Sequence, residues 1–321
     1  MSTRWPVVRM RAAGVAVGIL SALCSVVVAQ DAANEQEASA EIQKPFLWRI
    51  KAAPEDRPSY LFGTIHLSRP SVTRLPARVL AAIHASDAVF TEIPMDPPTL
   101  VRMTPSLFLP DGKTLGDVLP QDLLKQAEGA VKEIDPKLPF APFSRMQVWA
   151  FAAGLAGLED QIKYPGAMAQ DMVVFQRGAL DGKEVGGIET PEEQLAIFND
   201  LSLEEQIEML RDGLKQMRDI RATGQSPSEV LVDLYLTGDL DALGTELNKW
   251  LDPDGSDLSA KLVERLLTRR NRLMAERIAA KLRTEAGRSF FFAVGAAHLY
   301  GPNGLVAMLA AEGLEVSRVG D

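Results

Sequence analysis

Cysteine is almost missing from this 321-residue chain: Cys24 is the one example. It lies in an apolar N-terminal run, so the rest of the chain has no disulfide, no thiol nucleophile and no Cys-based zinc site. Histidine is scarce as well, with three copies at His66, His84 and His298. Positive charge is outnumbered, 34 Lys and Arg against 43 Asp and Glu, for a net charge of −9. That balance argues against nucleic acid or an anionic membrane face as a partner. Familiar catalytic signatures are absent too: there is no G-x-S-x-G, H-E-x-x-H, Walker or G-x-G-x-x-G pattern. Gly186-Gly187 is too little for a phosphate loop, and nothing marks Ser68, near His66, as a nucleophile.

The first residues read as a targeting segment. Arg4, Arg9 and Arg11 give a basic start, Ala12 to Val28 is apolar, and Val27-Val28-Ala29 offers a small-residue cleavage site. This predicts a signal peptide over 1–29 and a periplasmic or secreted protein, with an uncleaved anchor as the alternative because the run is somewhat long. Leu23 before Cys24 excludes a lipoprotein site, which wants a small residue there. Removing the three arginines takes the net charge from −9 to −12. Residues 30–44 are polar and Ala/Glu-rich, a flexible leader. The remainder, 45–321, is long enough to bury a core without staples.

Periodicity then places strands near both ends. Phe46–Ala52, Ser59–His66 and Asp87–Pro94 are strand-like, with a helix over "PARVLAAIHAS" between the last two. Residues 95–285 read as mostly helical, interrupted by a short strand at Glu184–Ile188. Thr190, Pro191 and Glu193 predict a capping box, and Ser202 with Glu205 predicts a second. A continuous helix is expected over Leu258–Arg283. "RSFFFAVGAAH", a helix closed by Gly313 and "LEVSRV" end the chain as a βαβ-like unit, in nearly the order found at the front.

Two phrases stand out. "GTIHLSRP" (Gly63–Pro70) and "GAAHLYGP" (Gly295–Pro302) both spell G-x-x-H-L-x-x-P and use two of the three histidines. Each follows an apolar strand, where α/β proteins gather functional side chains. Glu92 and Glu189 also fall at predicted strand ends. Two imidazoles and two carboxylates suit a divalent metal that keeps room for water or substrate, with a carboxylate as general base; the chemistry implied is hydrolysis. A carboxylate at Glu92, flanked by apolar residues, is costly unless paired. Glu189 could equally serve the helix N-terminus behind it. Arg270 and Asn271 sit in a basic helical run of the kind that is usually a solvated face. His84 reads as a packing or surface residue.

Taken together, "YLFGTIHL", "VFTEIP", "GKEVGGIETPEEQL", "LLTRRNRLMAERI" and "FFFAVGAAHLYGPNGLVAMLAAEGLEV" resemble the TraB/GumN family, which includes the Tiki-like metalloproteases. The resemblance implies one EreA/ChaN-like α/β domain over 45–321. Its mixed central sheet would be built from two related halves flanked by many helices and meeting at a cleft. It matches His66 and His298 to the family's motif histidines, Glu92 to its strand-end glutamate, and Glu189, Arg270 and Asn271 to its later motifs. Asp171, in "GAMAQD", matches only loosely, and "VWA" at Val148–Ala150 replaces the Pro-Trp of relatives. The expectation is an exported metal-dependent peptidase acting on a peptide or protein. His66, His298 and Glu92 would hold Mn, Co or Zn, and Glu92 or Glu189 would serve as base. Arg270 or Asn271 would polarise the scissile carbonyl. A haem- or metal-binding protein without turnover, or an interaction protein on the same scaffold, are the alternatives.

Overall fold

The computed structural model describes residue 42 and residues 44–251 and 255–320. The signal peptide, the anchor alternative and most of the leader lie outside the described residues.

Six strands form one mixed sheet: β1 (Leu47–Lys51), β2 (Ser59–Thr64), β3 (Ala88–Thr91), β4 (Glu184–Gly187), β5 (Phe290–Gly295) and β6 (Glu315–Arg318). Their spatial order is β4-β3-β5-β2-β1-β6. β5 pairs parallel with both β2 and β3, and β3 pairs parallel with β4. β1 is antiparallel to both β2 and β6. The apolar run FFFAVG is buried throughout, as expected of a central strand covered on both faces. The Gly-rich β4 and the half-exposed β6 take the edges.

Side-chain alternation in β5 assigns the two faces. Phe290, Phe292 and Val294 join one cluster, with Tyr235, Trp250 and Met274. Phe291 and Ala293 join another, with Val79, Ile83 and Val174. The first face is covered by α6 (Pro227–Thr237), α7 (Leu240–Leu251), α8 (Arg269–Thr284) and α9 (Leu305–Ala311). The second is covered by α1 (Ala77–Ala85) and α3 (Gln170–Leu180). A separate helical cluster is built on α2 (Val148–Lys163), α4 (Pro191–Asn199) and α5 (Leu203–Arg221), where Trp149 stacks on Phe198 at 4.8 Å.

The two βαβ-like units are present, but they interleave. β5 lies between β2 and β3, while β2 and β1 lie between β5 and β6. As a result the two histidine-bearing strands are parallel neighbours, with Gly63 opposite Val294 and Thr64 opposite Gly295.

Both expected capping boxes form, at Thr190/Glu193 for α4 and Ser202/Glu205 for α5. The helix expected over Leu258–Arg283 is interrupted. Asp257–Val263 runs into a π turn at Glu264–Thr268, and α8 comes directly after it. Such a turn inserts a residue without Gly or Pro and often marks a functional site. His84 is exposed on α1.

Candidate functional site

The ends of β2, β3, β4 and β5 converge, and α8 lays its first turn across them. Glu92 follows β3, Glu189 follows β4, and His66 and His298 follow β2 and β5. Glu92 Oε1 is the meeting point. His66 Nε2 lies 3.8 Å from it and His298 Nε2 lies 3.6 Å from it. The backbone N–H of Gly295 donates to the same oxygen at 2.7 Å.

The two motifs make room for each other. A Cβ on Gly295 would stand 2.8 Å from His66 Nε2, so the second motif's glycine leaves space for the first motif's imidazole. A Cβ on Gly63 would stand 2.5 Å from Leu299 Cδ1, so the first motif's glycine accommodates the leucine after His298. Neither glycine has a positive φ. Close approach, not backbone angle, is what these positions require.

Arg270 is the cluster's internal cation. Its Nη2 donates to Glu92 Oε2 and Glu189 Oε2, each at 2.6 Å, and its Nε donates to both Glu189 oxygens at 3.1 Å. Nη1 donates to Leu266 O at 3.2 Å and to His298 Nε2 at 3.0 Å. These contacts use all five of its N–H groups. A guanidinium so engaged has no donor left for a carbonyl unless it gives one up.

Asn271 sets the protonation of His298. Its Nδ2 donates to Asn303 O at 2.7 Å, so the atom 2.6 Å from His298 Nδ1 is the amide oxygen. Nδ1 therefore carries the proton, and Nε2 turns its lone pair toward Arg270. Burial, then Arg270, pulls the His298 pKa down from 6.5 to about 3. The ring is neutral.

His66 is the opposite case. Burial disfavours its charge, but Asp171 and then Glu92 outweigh that and push its pKa up from 6.5 to about 9. Asp171 Oδ1 stands 3.3 Å from His66 Nδ1. Neither Asp171 oxygen accepts a hydrogen bond, so the contact is one of charge without alignment. Burial would raise the Glu92 pKa, yet Arg270, the two imidazoles and the Gly295 amide hold it well below the usual carboxylate range.

All the expected residues therefore fall in one cluster: His66, Glu92, Glu189, Arg270, Asn271 and His298, with Asp171 behind His66. Other members carry no sequence signal. Gln194 Nε2 donates to Glu92 Oε2 at 2.9 Å and to Glu189 Oε2 at 3.3 Å. Gln170 holds the first histidine loop through Ile65 N and Val72 O, and Tyr235 Oη donates to Gly63 O at 2.7 Å.

The donor types suit a divalent ion: two imidazole nitrogens share one carboxylate oxygen, and a carboxylate backs one ring. The spacings of 3.8 and 3.6 Å are near the roughly 3.3 Å between donors on a tetrahedral ion with bonds of about 2 Å. Among the described residues, however, no three His, Asp or Glu side chains form a ready ligand set. Arg270 already occupies the His298 lone pair and both glutamates, and the raised pKa of His66 favours a protonated ring. The residues fit the ion in kind, with Arg270 as its competitor.

No helix among the described residues is long and apolar enough to cross a membrane. No solved structure matches the chain. Among curated proteins it is similar to metalloprotease TIKI2 of Danio rerio, at 28% identity over 92% of this chain and 67% of that protein. It is 29% identical to metalloprotease TIKI1 of Homo sapiens, over 84% of this chain and 61% of that one. It is also 24% identical to the protein YbaP of Shigella flexneri, over 80% and 89% of the two chains. The chain thus spans about two thirds or less of the metalloproteases' own length. Residues 46–318 match the TraB/PrgY/gumN family throughout, and the chain belongs to that family.

Proposed function

We propose that this chain is an exported metal-dependent peptidase whose single domain, 45–321, closes around His66, Glu92 and His298. One observation carries the reading: imidazoles from opposite ends of the chain face the same oxygen of Glu92, at 3.8 and 3.6 Å. The metalloprotease names of the relatives supply the reaction class and the metal.

A divalent ion (Mn, Co or Zn), when bound, would supply a Lewis acid and a water of lowered pKa. His66 Nε2, His298 Nε2 and Glu92 would hold it. Asp171 would orient His66, and Asn271 keeps the His298 lone pair available. Arg270 pairs with both Glu92 and Glu189 before loading, so neither buried carboxylate is left without a cation beside it. Glu189, which is not among the ligands, would be the carboxylate placed to hold a proton taken from water, with Arg270 beside it. Arg270, released from His298, would have an N–H for the scissile carbonyl.

The test is cleavage of a mixed peptide pool by metal-stripped protein, with and without Mn²⁺ or Co²⁺. Cleavage restored by the ion and abolished in Glu92→Gln supports the reading. Full activity without metal, or a Soret band on haem addition that is lost in His66→Ala with no cleavage, overturns it.

A further inference from the structure

Beside the cluster, and sharing Glu189 and Arg270 with it, the chain forms a pocket of 170 Å³. Its charged lining is Arg265, Arg269 and Arg270 from the π turn and α8, and Glu189, Glu193 and Asp200 from around α4. Ile197 and Leu273 provide apolar wall. The space is smaller than the roughly 300–1,000 Å³ of a site for a whole small molecule, and is of a size for one side chain or a chain end.

The charges around this space are unequally spent. Glu189 pairs with Arg270 at 2.6 Å, a cation it shares with Glu92, and Glu193 pairs with Arg277 at 2.6 Å. Glu205, near Arg265, already pairs with Lys261. Arg265 and Arg269, by contrast, form no ion pair among the described residues. Arg265 Nη1 is buried without any hydrogen-bond partner. Leaving a guanidinium N–H so is costly, and a carboxylate would satisfy it with a charge-assisted pair. Asp200, exposed at the end of α4, is the one acidic liner outside an ion pair among the described residues, against two arginines.

We propose that this pocket is an anion subsite that receives a carboxylate of the bound peptide, next to Glu189 and Arg270. The proposal rests on the peptidase reading and deepens it to a substrate class. The carboxylate can belong to an acidic side chain or to the chain's C-terminus; either meets the same two arginines.

The experiment measures binding of fluorescein-labelled alanine-based peptides to metal-stripped protein by anisotropy. One peptide is neutral and amidated, one carries a single Glu and is amidated, and one is neutral with a free C-terminus. One of the charged peptides should bind about tenfold more tightly than the neutral one, and which of them gains identifies the source. The gain should vanish in Arg265→Gln and in Arg269→Gln, and survive in Arg283→Gln, a distant surface control. Arg269 is exposed, so its variant tests the site without threatening the fold. Equal affinities, or a gain that survives both substitutions, overturn the proposal. Cleavage of the same peptides with Mn²⁺ is scored apart. Charge-dependent binding without cleavage defeats the peptidase reading and leaves the subsite; cleavage with no charge preference defeats the subsite alone.

Discussion

Gly295 lies directly beneath the imidazole of His66, close enough that a Cβ there would stand 2.8 Å from Nε2 and 3.3 Å from Glu92 Oε1. Gly295→Ala therefore puts a methyl group between two side chains of the cluster. The imidazole is half-buried and can swing aside. We expect divalent-ion content and activity to fall sharply while the melting temperature changes little. Gly63→Ala meets Leu299 and Phe46 in the core instead and should cost about 1–3 kcal/mol of stability. Paired thermal melts and metal analysis separate the two, and equal loss of stability would defeat the distinction.

Arg270 offers a second test. Removing it leaves Glu92 and Glu189 buried without their cation, and breaking such a pair typically costs about 3–5 kcal/mol. Arg270→Gln should therefore be markedly less stable than wild type in the absence of metal. It also frees the His298 lone pair and both carboxylates. Added Mn²⁺ or Co²⁺ should then raise the variant's melting temperature by more than it raises the wild type's. A variant indifferent to both ions would count against a metal at this site.

Asn271 is tested through the tautomer it imposes. Asn271→Leu removes the acceptor for His298 Nδ1–H, so either ring nitrogen can carry the proton. Metal affinity should fall about 10–100-fold, as it does when such supporting partners are lost elsewhere. Asn271→Asp keeps an acceptor and should retain more of it. Nitrogen NMR of the labelled histidine rings would show the Nδ1–H form dominant in wild type and mixed in Asn271→Leu.

Away from the cluster, acid should weaken the clamp between α4 and α8. Hydrogen bonds from Arg277, with help from the Thr190 amide, pull the Glu193 pKa from 4.5 down to about 2. A carboxylate whose pKa is lowered on folding stabilises the fold above its unfolded value and loses that contribution as pH falls. The window here is 4.5 to about 2. Glu193→Gln should cost stability at pH 7 and progressively less below pH 4.5, measured by urea unfolding at several pH values. A penalty that stays constant down to pH 2 would assign the effect to packing.

Much of this site can be read in the chain, because its residues sit at places with local signatures. His66 and His298 share a phrase, Glu92 ends an apolar strand, and Thr190 with Glu193 announces the helix behind Glu189. The supporting residues have no such marks. Gln170, Gln194 and Tyr235 look like ordinary positions in amphipathic helices, and only the packing of those helices on the sheet turns them inward. The π turn at Glu264–Thr268 is invisible because the helical pattern runs through it without a breaker. Arg270 reads as a partner for substrate, since nothing local shows that two glutamates and an imidazole from three other segments saturate it. Interleaving of the two βαβ units is equally hidden, because pairing between remote strands leaves no periodic trace.

That interleaving has a consequence for biogenesis. β5 lies inside the sheet, yet it is the fifth of the six strands to be synthesised. Until it slots between β2 and β3, those strands share no neighbour to hold them side by side, and three of the sheet's five pairings join an early strand to β5 or β6. Such distant closures fold slowly. A nascent or truncated chain ending before Phe290 would hold Glu92 and His66 without the strand that brings them into register. Whatever the cluster does, it can do only once β5 and His298 have joined the strands made before them.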